Sequence, residues 1–406
     1  MLRSFARTYQ AAFRGIPRPV WALAAVTLVN RAGTMVLPFL VLYFTTQKGL
    51  SAEGAGGLLA IYGCGAMVGA YLGGRLSDRL GALRVQELSL LATGLAFLLL
   101  GVLDSAFSIA VTLGVLAIVG EAFRPANAAA LAELSPPETL VRAYALRRLA
   151  INLGMTLGPA VGGFLAVIGY EWLFRVDALT CFAAALLLRF TLSSDKRPQP
   201  AREQAASAGD RGRSPWRDPV FVAFLFLTFL LASVFFQIFS TFPLTLREHF
   251  GLAEDRIGLV FAFNTLLIIL FEMVLTHRLE SRNPLKVLAV GAFLSGFGLC
   301  LLPLGSSYVF LLGTVAIWTL GEMLAAPTAE GFVARRAAPA ARGRSLGLYV
   351  MAWSTAFMVA PLTGTLIYTR FGHEALWYGC GGLGVVLLVG FLALSRHTAR
   401  ATAEST

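Results

Sequence analysis

Five ionisable side chains stand in stretches of this sequence that are otherwise apolar: Arg31, Glu121, Arg124, Glu272 and Glu322. A charge at the centre of a bilayer-spanning helix costs roughly 2.5–3.5 kcal/mol on translocon scales, so such groups usually face a partner or a wet cavity. Glu121 and Arg124 are three residues apart and share a helix face. Asn30 (beside Arg31), Gln237 and Asn264 add hydrogen-bonding groups within the same kind of stretch. The chemistry open to this set is proton exchange. Burial raises a carboxyl pKa, a nearby guanidinium lowers it, and a carboxyl balanced between them can take up and release a proton. Glu322 or Glu121 is the expected protonation site, with Arg31 as counter-charge or substrate anchor; the structural alternative is a static Glu121–Arg124 pair. Glu272 reads as a gating or packing group. Arg175 and Asp177 read as an interfacial pair near the outer surface.

Metal and redox chemistry find no support in the pattern. His249 and His373 fall in outer loops, and His277 and His397 on the cytoplasmic side. Cys64, Cys181, Cys300 and Cys380 lie singly in apolar runs without CxxC spacing, as small buried hydrophobes would. Neither a metal site nor a cofactor is expected, and the absence of a nucleotide-binding loop leaves an ion gradient or the substrate gradient itself as the energy source, with a proton gradient the expected one.

The elements that must position these groups are membrane helices. The 406 residues are 57% hydrophobic and 14% charged, well below the ~25% charged residues of a soluble domain. Within hydrocarbon every backbone polar group is satisfied internally, which restricts spans to helices or a closed barrel. The apolar runs here are about twice the ~10 residues of a barrel strand. We read spans at 20–45, 54–74, 88–103, 107–131, 143–168, 174–192, 219–246, 256–278, 285–304, 308–333, 345–369 and 375–395. The first run is too long for a signal-peptide core and is expected to be retained.

The net charge of +11 follows the same plan. With the N-terminus in the cytoplasm, 25 of the 33 Lys and Arg residues fall on cytoplasmic segments, while only Lys48, Arg247, Arg256 and Arg370 lie opposite. That asymmetry is the positive-inside pattern and places both termini in the cytoplasm; it argues against nucleic acid as a partner. Thirty arginines to three lysines fit a GC-rich genome and a bacterial inner membrane.

Six spans precede a polar, Pro- and charge-rich segment at 193–218, and six follow it. That composition reads as a cytoplasmic linker between an N-terminal bundle (1–192) and a C-terminal bundle (219–406). Gly120-Glu121 with Pro125 recurs as Gly321-Glu322 with Pro327, Arg142 as Arg344, Pro159 as Pro361 and Gly162 as Gly364, always 201 or 202 residues on. A constant offset means duplication, and parallel repeats place a substrate cavity between the halves.

Two motifs carry a family resemblance. Between spans 2 and 3 the chain reads GRLSDRLGALR, from Gly74 to Arg84. Span 5 holds GMTLGPAVGG, with Gly154, Gly158 and Gly162 one turn apart on one face and Pro159 removing a backbone hydrogen bond. Over nearly its whole length the chain resembles the major facilitator superfamily, and span 5 resembles the signature of its drug–proton antiporters. The resemblance implies an all-α fold of twelve transmembrane helices in two pseudo-symmetric six-helix bundles. It implies that Gly74, Asp78, Arg79, Gly81 and Arg84 form a conformational latch, although Ala82 and Leu83 replace the family's basic pair. It also implies a cavity lined by spans 1, 4, 7 and 10, which makes Arg31, Glu121, Arg124 and Glu322 cavity candidates. Spans 2 and 11, and 5 and 8, would pack across the halves, with the small-residue faces Gly65, Gly69 and Gly73 and Gly154, Gly158 and Gly162 at those contacts.

The expected function is secondary active transport: proton-coupled export of small amphiphilic molecules, such as drugs or a siderophore-like metabolite, by a monomer in the bilayer. Phe39, Tyr43, Phe235, Phe236 and Phe239 would suit an amphiphile. Asn30-Arg31, where related exporters often carry an acid, favours as alternative a proton-driven uptake permease for an organic anion. A non-transporting scaffold or receptor would have no need of mid-bilayer charges, and nothing in the chain suggests an enzyme.

Overall fold

The computed structural model describes residues 15–136, 139–192, 215–279, 282–336 and 342–403, and these contain helices but no strand. Residues 193–214 of the expected linker lie outside the described residues. The helical passages follow the expected spans and are numbered with them. They are α1 (Arg18–Gln47), α2 (Ala52–Leu80), α3 (Ala82–Leu100), α4 (Ala106–Leu134), α5 (Leu140–Ile168) and α6 (Tyr170–Leu192). After the linker come α7 (Pro219–Phe239, prolonged by Thr241–Glu248), α8 (Glu254–Leu279), α9 (Pro284–Leu304) and α10 (Tyr308–Arg336). The helical stretch Arg342–Ala403 is divided at Gly372, whose φ of 87° is not helical, into α11 before it and α12 after it. Such a φ suits glycine, which lacks the Cβ that resists it.

Among the described residues nine helical stretches are long and apolar enough to cross a membrane, with α11 and α12 counted as one. The two remaining passages, α6 and α8, carry Glu171, Arg175, Asp177 and Arg189, and Glu254, Asp255, Arg256, Glu272 and Arg278. Large apolar side chains stand outward, with Phe107, Phe190 and Val309 exposed by 79%, 78% and 79%. In a soluble protein such a surface would bind or aggregate; on a bundle of membrane-length helices it faces lipid. The chain is a multi-pass, all-α membrane protein.

The residues gather into two compact units, Met1–Leu37 with Cys64–Glu203, and Pro38–Gly63 with Gln204–Thr406. The first has a core of Val20, Leu23, Leu90, Phe123, Leu146 and Leu188. The second has an aromatic core in which Phe224 packs against Phe332 at 4.6 Å and Phe391 at 6.1 Å between ring centroids. Within the second unit the start of α2 lies on α11. A Cβ at Gly63 would stand 2.8 Å from the Met358 Cα, and one at Gly56 would meet Thr365 and the Pro361 carbonyl. Glu53 there accepts from Thr369 at 2.8 Å and lies 3.9 Å from Arg370.

The leading helix of each half is broken in mid-course. In α1 the first helix ends at Ala32, and Gly33 to Val36 are non-helical before a 3-10 turn at Leu37–Phe39. In α7 the α-helix gives way at Phe236–Phe239 to a 3-10 turn, and Ser240 (φ −124°, ψ −75°) leaves the helical region. Each break packs on a helix of its own unit that carries Gly and Pro. Gly162 of α5 stands against Met35, and Gly364 of α11 against Gln237. These contacts lie at positions related by the 202-residue repeat.

Small residues let these helices approach closely, but the stripes face other partners than expected. Gly65, Gly69 and Gly73 meet α4, where a Cβ at Gly65 would lie 2.6 Å from the Gly114 carbonyl oxygen. Gly154, Gly158 and Gly162 meet α1: a Cβ at Gly154 would lie 2.5 Å from the Arg31 Cβ, and one at Gly158 3.2 Å from the Ala32 carbonyl oxygen. Both stripes are packing surfaces within the first unit. Spacing identifies a face that tolerates contact, whereas the neighbour is chosen by the tertiary arrangement.

Candidate substrate and proton site

The first unit builds its polar interior around the α1 break. A chain that stops being helical in mid-membrane frees backbone N–H groups that must find acceptors. Asp177 of α6 supplies them: its oxygens accept the Met35 N–H at 3.2 and 3.3 Å and the Val36 N–H at 3.0 Å. The side chain is fully buried. This corrects the expected Arg175–Asp177 interfacial pair, since Arg175 turns away and lies over the Trp172 ring at 5.1 Å. Residues two apart on a helix point in different directions.

The charges of α4 pair with one another. Arg124 Nη1 donates to Glu121 Oε2 at 3.2 Å, with Arg124 62% exposed and Glu121 18%. The helix is interrupted at Ala122, where Pro125 lacks the N–H that would bond the Glu121 carbonyl. Two turns deeper in sequence is a network that the sequence did not reveal. Asn127, 1% exposed, donates through Nδ2 to Gln86 Oε1 at 3.0 Å and Thr27 Oγ1 at 3.2 Å. Its Oδ1 accepts from Arg147 Nε at 2.7 Å. With Arg142 and Arg148, Arg147 also fits the positive-inside pattern at the start of α5. The signal that could have found it is its spacing: Arg147, Gly154 and Gly158 fall on one face of α5 at seven- and four-residue intervals.

In the second unit Glu322, partly buried midway along α10, accepts from Asn264 Nδ2 of α8 at 3.2 Å. The same amide donates to Thr319 Oγ1 at 2.9 Å, and Thr319 donates to the Val315 carbonyl at 2.6 Å. Asn264 and Glu322, both candidates from sequence, are thus brought together. Glu272 lies two turns beyond Asn264 on α8 and is buried, 7% exposed. Gln237 is buried, 5% exposed, and bonded within its own unit. Its Nε2 donates to the Ala360 carbonyl at 3.0 Å and the Ser233 carbonyl at 3.2 Å, and its Oε1 accepts from Thr241 at 2.9 Å. It staples the α7 break to α11.

The aromatic expectations divide in two. Phe39 and Tyr43 are buried. Phe235, Phe236 and Phe239 are partly exposed and form a wall with Trp353 and Phe357 of α11, Phe236 lying 4.7 Å from Phe357 and 5.6 Å from Trp353. The cysteines also depart from the buried pattern: Cys181 and Cys380 are buried, but Cys64 is exposed.

At the expected latch, α2 runs to Leu80 and α3 starts at Ala82, joined by Gly81 alone at a φ of 87°. That glycine is required by its backbone. A Cβ on Gly74 would meet nothing within 4 Å. Asp78, Arg79 and Arg84 are exposed, while Ser77 is buried and donates to the Gly73 carbonyl at 2.7 Å.

Comparison with known proteins agrees with this architecture. The chain matches the family profile described as Major Facilitator Superfamily over residues 23–338 and 238–406. It is 25% identical over 395 residues to a Na(+), Li(+), K(+)/H(+) antiporter of Planococcus maritimus, covering 88% of this chain and 89% of that protein. It is 25% identical over 378 residues to the class E tetracycline resistance protein of Escherichia coli, covering 87% and 89%. The crystal structure of a POT family transporter in complex with a thioalcohol-conjugated peptide matches with a TM-score of 0.81 at 16% identity, covering 96% of this chain and 98% of that one. At that identity the likeness speaks for the fold.

Proposed function

The chain belongs to the major facilitator superfamily, and we propose that it is a proton-coupled exporter of small amphiphilic molecules that works by alternating access. The observation that carries this reading is Glu322. It is an acid placed midway along a membrane helix, and it accepts from Asn264 of α8. A carboxyl part-buried in mid-membrane can take up and release a proton as its surroundings change, which a coupling group needs. The aromatic wall of Phe235, Phe236, Trp353 and Phe357 offers an apolar face for the rest of an amphiphile. Names among the relatives, a monovalent cation/proton antiporter and a tetracycline resistance protein, support coupled export.

In this reading Glu121 is a structural partner of Arg124, and the residues Gly74 to Arg84 act as the conformational latch. The carrier works as a monomer in a bacterial inner membrane with both termini in the cytoplasm. A second reading, uptake of an organic anion, is favoured by the concentration of guanidiniums in the first unit. The test is flux in proteoliposomes with an imposed pH gradient, assayed against cationic and anionic amphiphiles. Gradient-driven flux of any of them supports a coupled carrier and its direction separates the two readings; no flux across the panel contradicts both.

A further inference from the structure

Arg147 is held by a neutral amide. Its Nε donates to Asn127 at 2.7 Å, and among the described residues it has no carboxylate partner. Asn127 is itself fixed from three sides. Thr27 of α1 and Gln86 of α3 take its amide protons, Thr27 donates onward to the Leu23 carbonyl at 2.8 Å, and Gln86 donates to the Ala82 and Ala126 carbonyls at 3.4 Å each. Three helices, α1, α3 and α4, therefore hold one edge of a guanidinium carried by α5 with a neutral network. A fully connected buried network of this kind fixes geometry, but it supplies no counter-charge.

Among the described residues the neighbouring charged side chains do not supply one either. The side chains that act electrostatically on Arg147 are Arg31, Arg124 and the phenol of Tyr144, none of them a carboxylate, and Arg124 already has Glu121. Taking a cation out of water without an opposite charge is costly, and leaving a charge buried and unpaired is the expensive case. A guanidinium bound through Nε still presents its two terminal nitrogens as a fork that matches a carboxylate or phosphate. Arg31 lies on the same side, since its Cβ abuts Gly154, two turns along α5 from Arg147, and a helical side chain leans toward its own N-terminus.

We propose that Arg147 is the docking point for an anionic group, a carboxylate or phosphate, on the molecule this carrier moves. The inference rests on the transport reading and narrows its substrate class to acids, amphiphilic or otherwise. The same chemistry could be met by the headgroup of an anionic lipid, so the test separates the two.

The full chain, purified in a neutral detergent, is assayed by equilibrium dialysis with 1-naphthoate and with 1-naphthylmethylammonium, which share a ring system and differ in charge. Naphthoate is expected to bind about tenfold more tightly than the ammonium probe, and Arg147→Gln to remove that preference. Arg147→Lys keeps the charge without the fork and is expected to fall between. Thermal unfolding of both variants verifies that the fold is retained, and Asn127→Asp, which adds a counter-charge beside Arg147, gives an independent variant expected to weaken naphthoate in the same way. Equal binding of the two probes, a preference unchanged in Arg147→Gln, or no saturable binding of either overturns the proposal. Displacement of naphthoate by phosphatidylglycerol in the wild type but not in Arg147→Gln, with no naphthoate flux in proteoliposomes, assigns the site to lipid and also overturns it. Preference for the ammonium probe together with intact gradient-driven flux would sink the anion site while leaving the carrier standing.

Discussion

Val36 and Asp177 are 141 positions apart, yet the Val36 N–H reaches Asp177 Oδ2 at 3.0 Å. With the neighbouring bonds to Met35, this contact lets α1 stop being helical inside the membrane. Asp177→Ala would strand two buried N–H groups, and each costs about 1–3 kcal/mol when unsatisfied. Asp177→Asn keeps one acceptor oxygen and is expected to lose less. Thermal unfolding of the two variants in detergent should rank Ala below Asn below wild type. Equal stability of all three would mean the break does not depend on this side chain.

The Gly154 contact predicts a second ranking. A methyl group there would lie 2.5 Å from the Arg31 Cβ and 2.8 Å from the Ala32 nitrogen, neither of which can yield without moving backbone. Gly154→Ala is expected to destabilise by about 1–3 kcal/mol through overpacking. Gly74→Ala, where a Cβ meets nothing within 4 Å, is expected to be neutral or stabilising by up to about 1 kcal/mol. Unfolding of the two variants side by side checks the contrast, and a harmless Gly154→Ala would contradict the close packing of α5 on α1.

At the head of α7, Asp218 caps the Val220 and Phe221 N–H groups at 3.1 and 3.3 Å and receives Arg336 Nε at 2.6 Å and Nη2 at 2.8 Å. Burial acts to raise its pKa, but the Arg336 hydrogen bond and charge, with the two backbone donors, bring it below the usual carboxylate range. A depressed folded-state pKa means the stabilisation is present above the unfolded value and is lost as pH falls through the folded one. Asp218→Asn keeps the cap but loses the ion pair, which at this part-exposed site is worth about 0–1 kcal/mol. The wild-type advantage is expected at pH 7 and expected to vanish as the pH falls below about 4. An advantage independent of pH would remove Arg336 from the account.

What the sequence disclosed follows from which properties are local. Apolar run length reports directly on membrane crossing, so the passages were legible. The spacing of Gly120-Glu121 and Pro125 against Gly321-Glu322 and Pro327 reported the repeat. Glu322 and Asn264 were picked out because polar atoms within apolar helices are conspicuous, and the structure joins them. Partners were not legible. Asp177 looked interfacial because it lies near a helix start, and only the fold reveals that it serves a break 141 residues earlier. A lone Gln237 in the sequence cannot announce which four neighbours bond its amide. Arg147 was hidden among arginines that obey the positive-inside pattern; its distinction is the buried Asn127 beside it.

The central claim is that protonation of Glu322 couples the carrier to the proton gradient. It is tested most directly by comparing wild type and Glu322→Gln in proteoliposomes for two activities, flux driven by a pH gradient and substrate exchange without one. Gln keeps a partner for Asn264 but cannot release a proton, so gradient-driven flux is expected to disappear while exchange persists. Gradient-driven flux at the wild-type rate in Glu322→Gln would contradict the account.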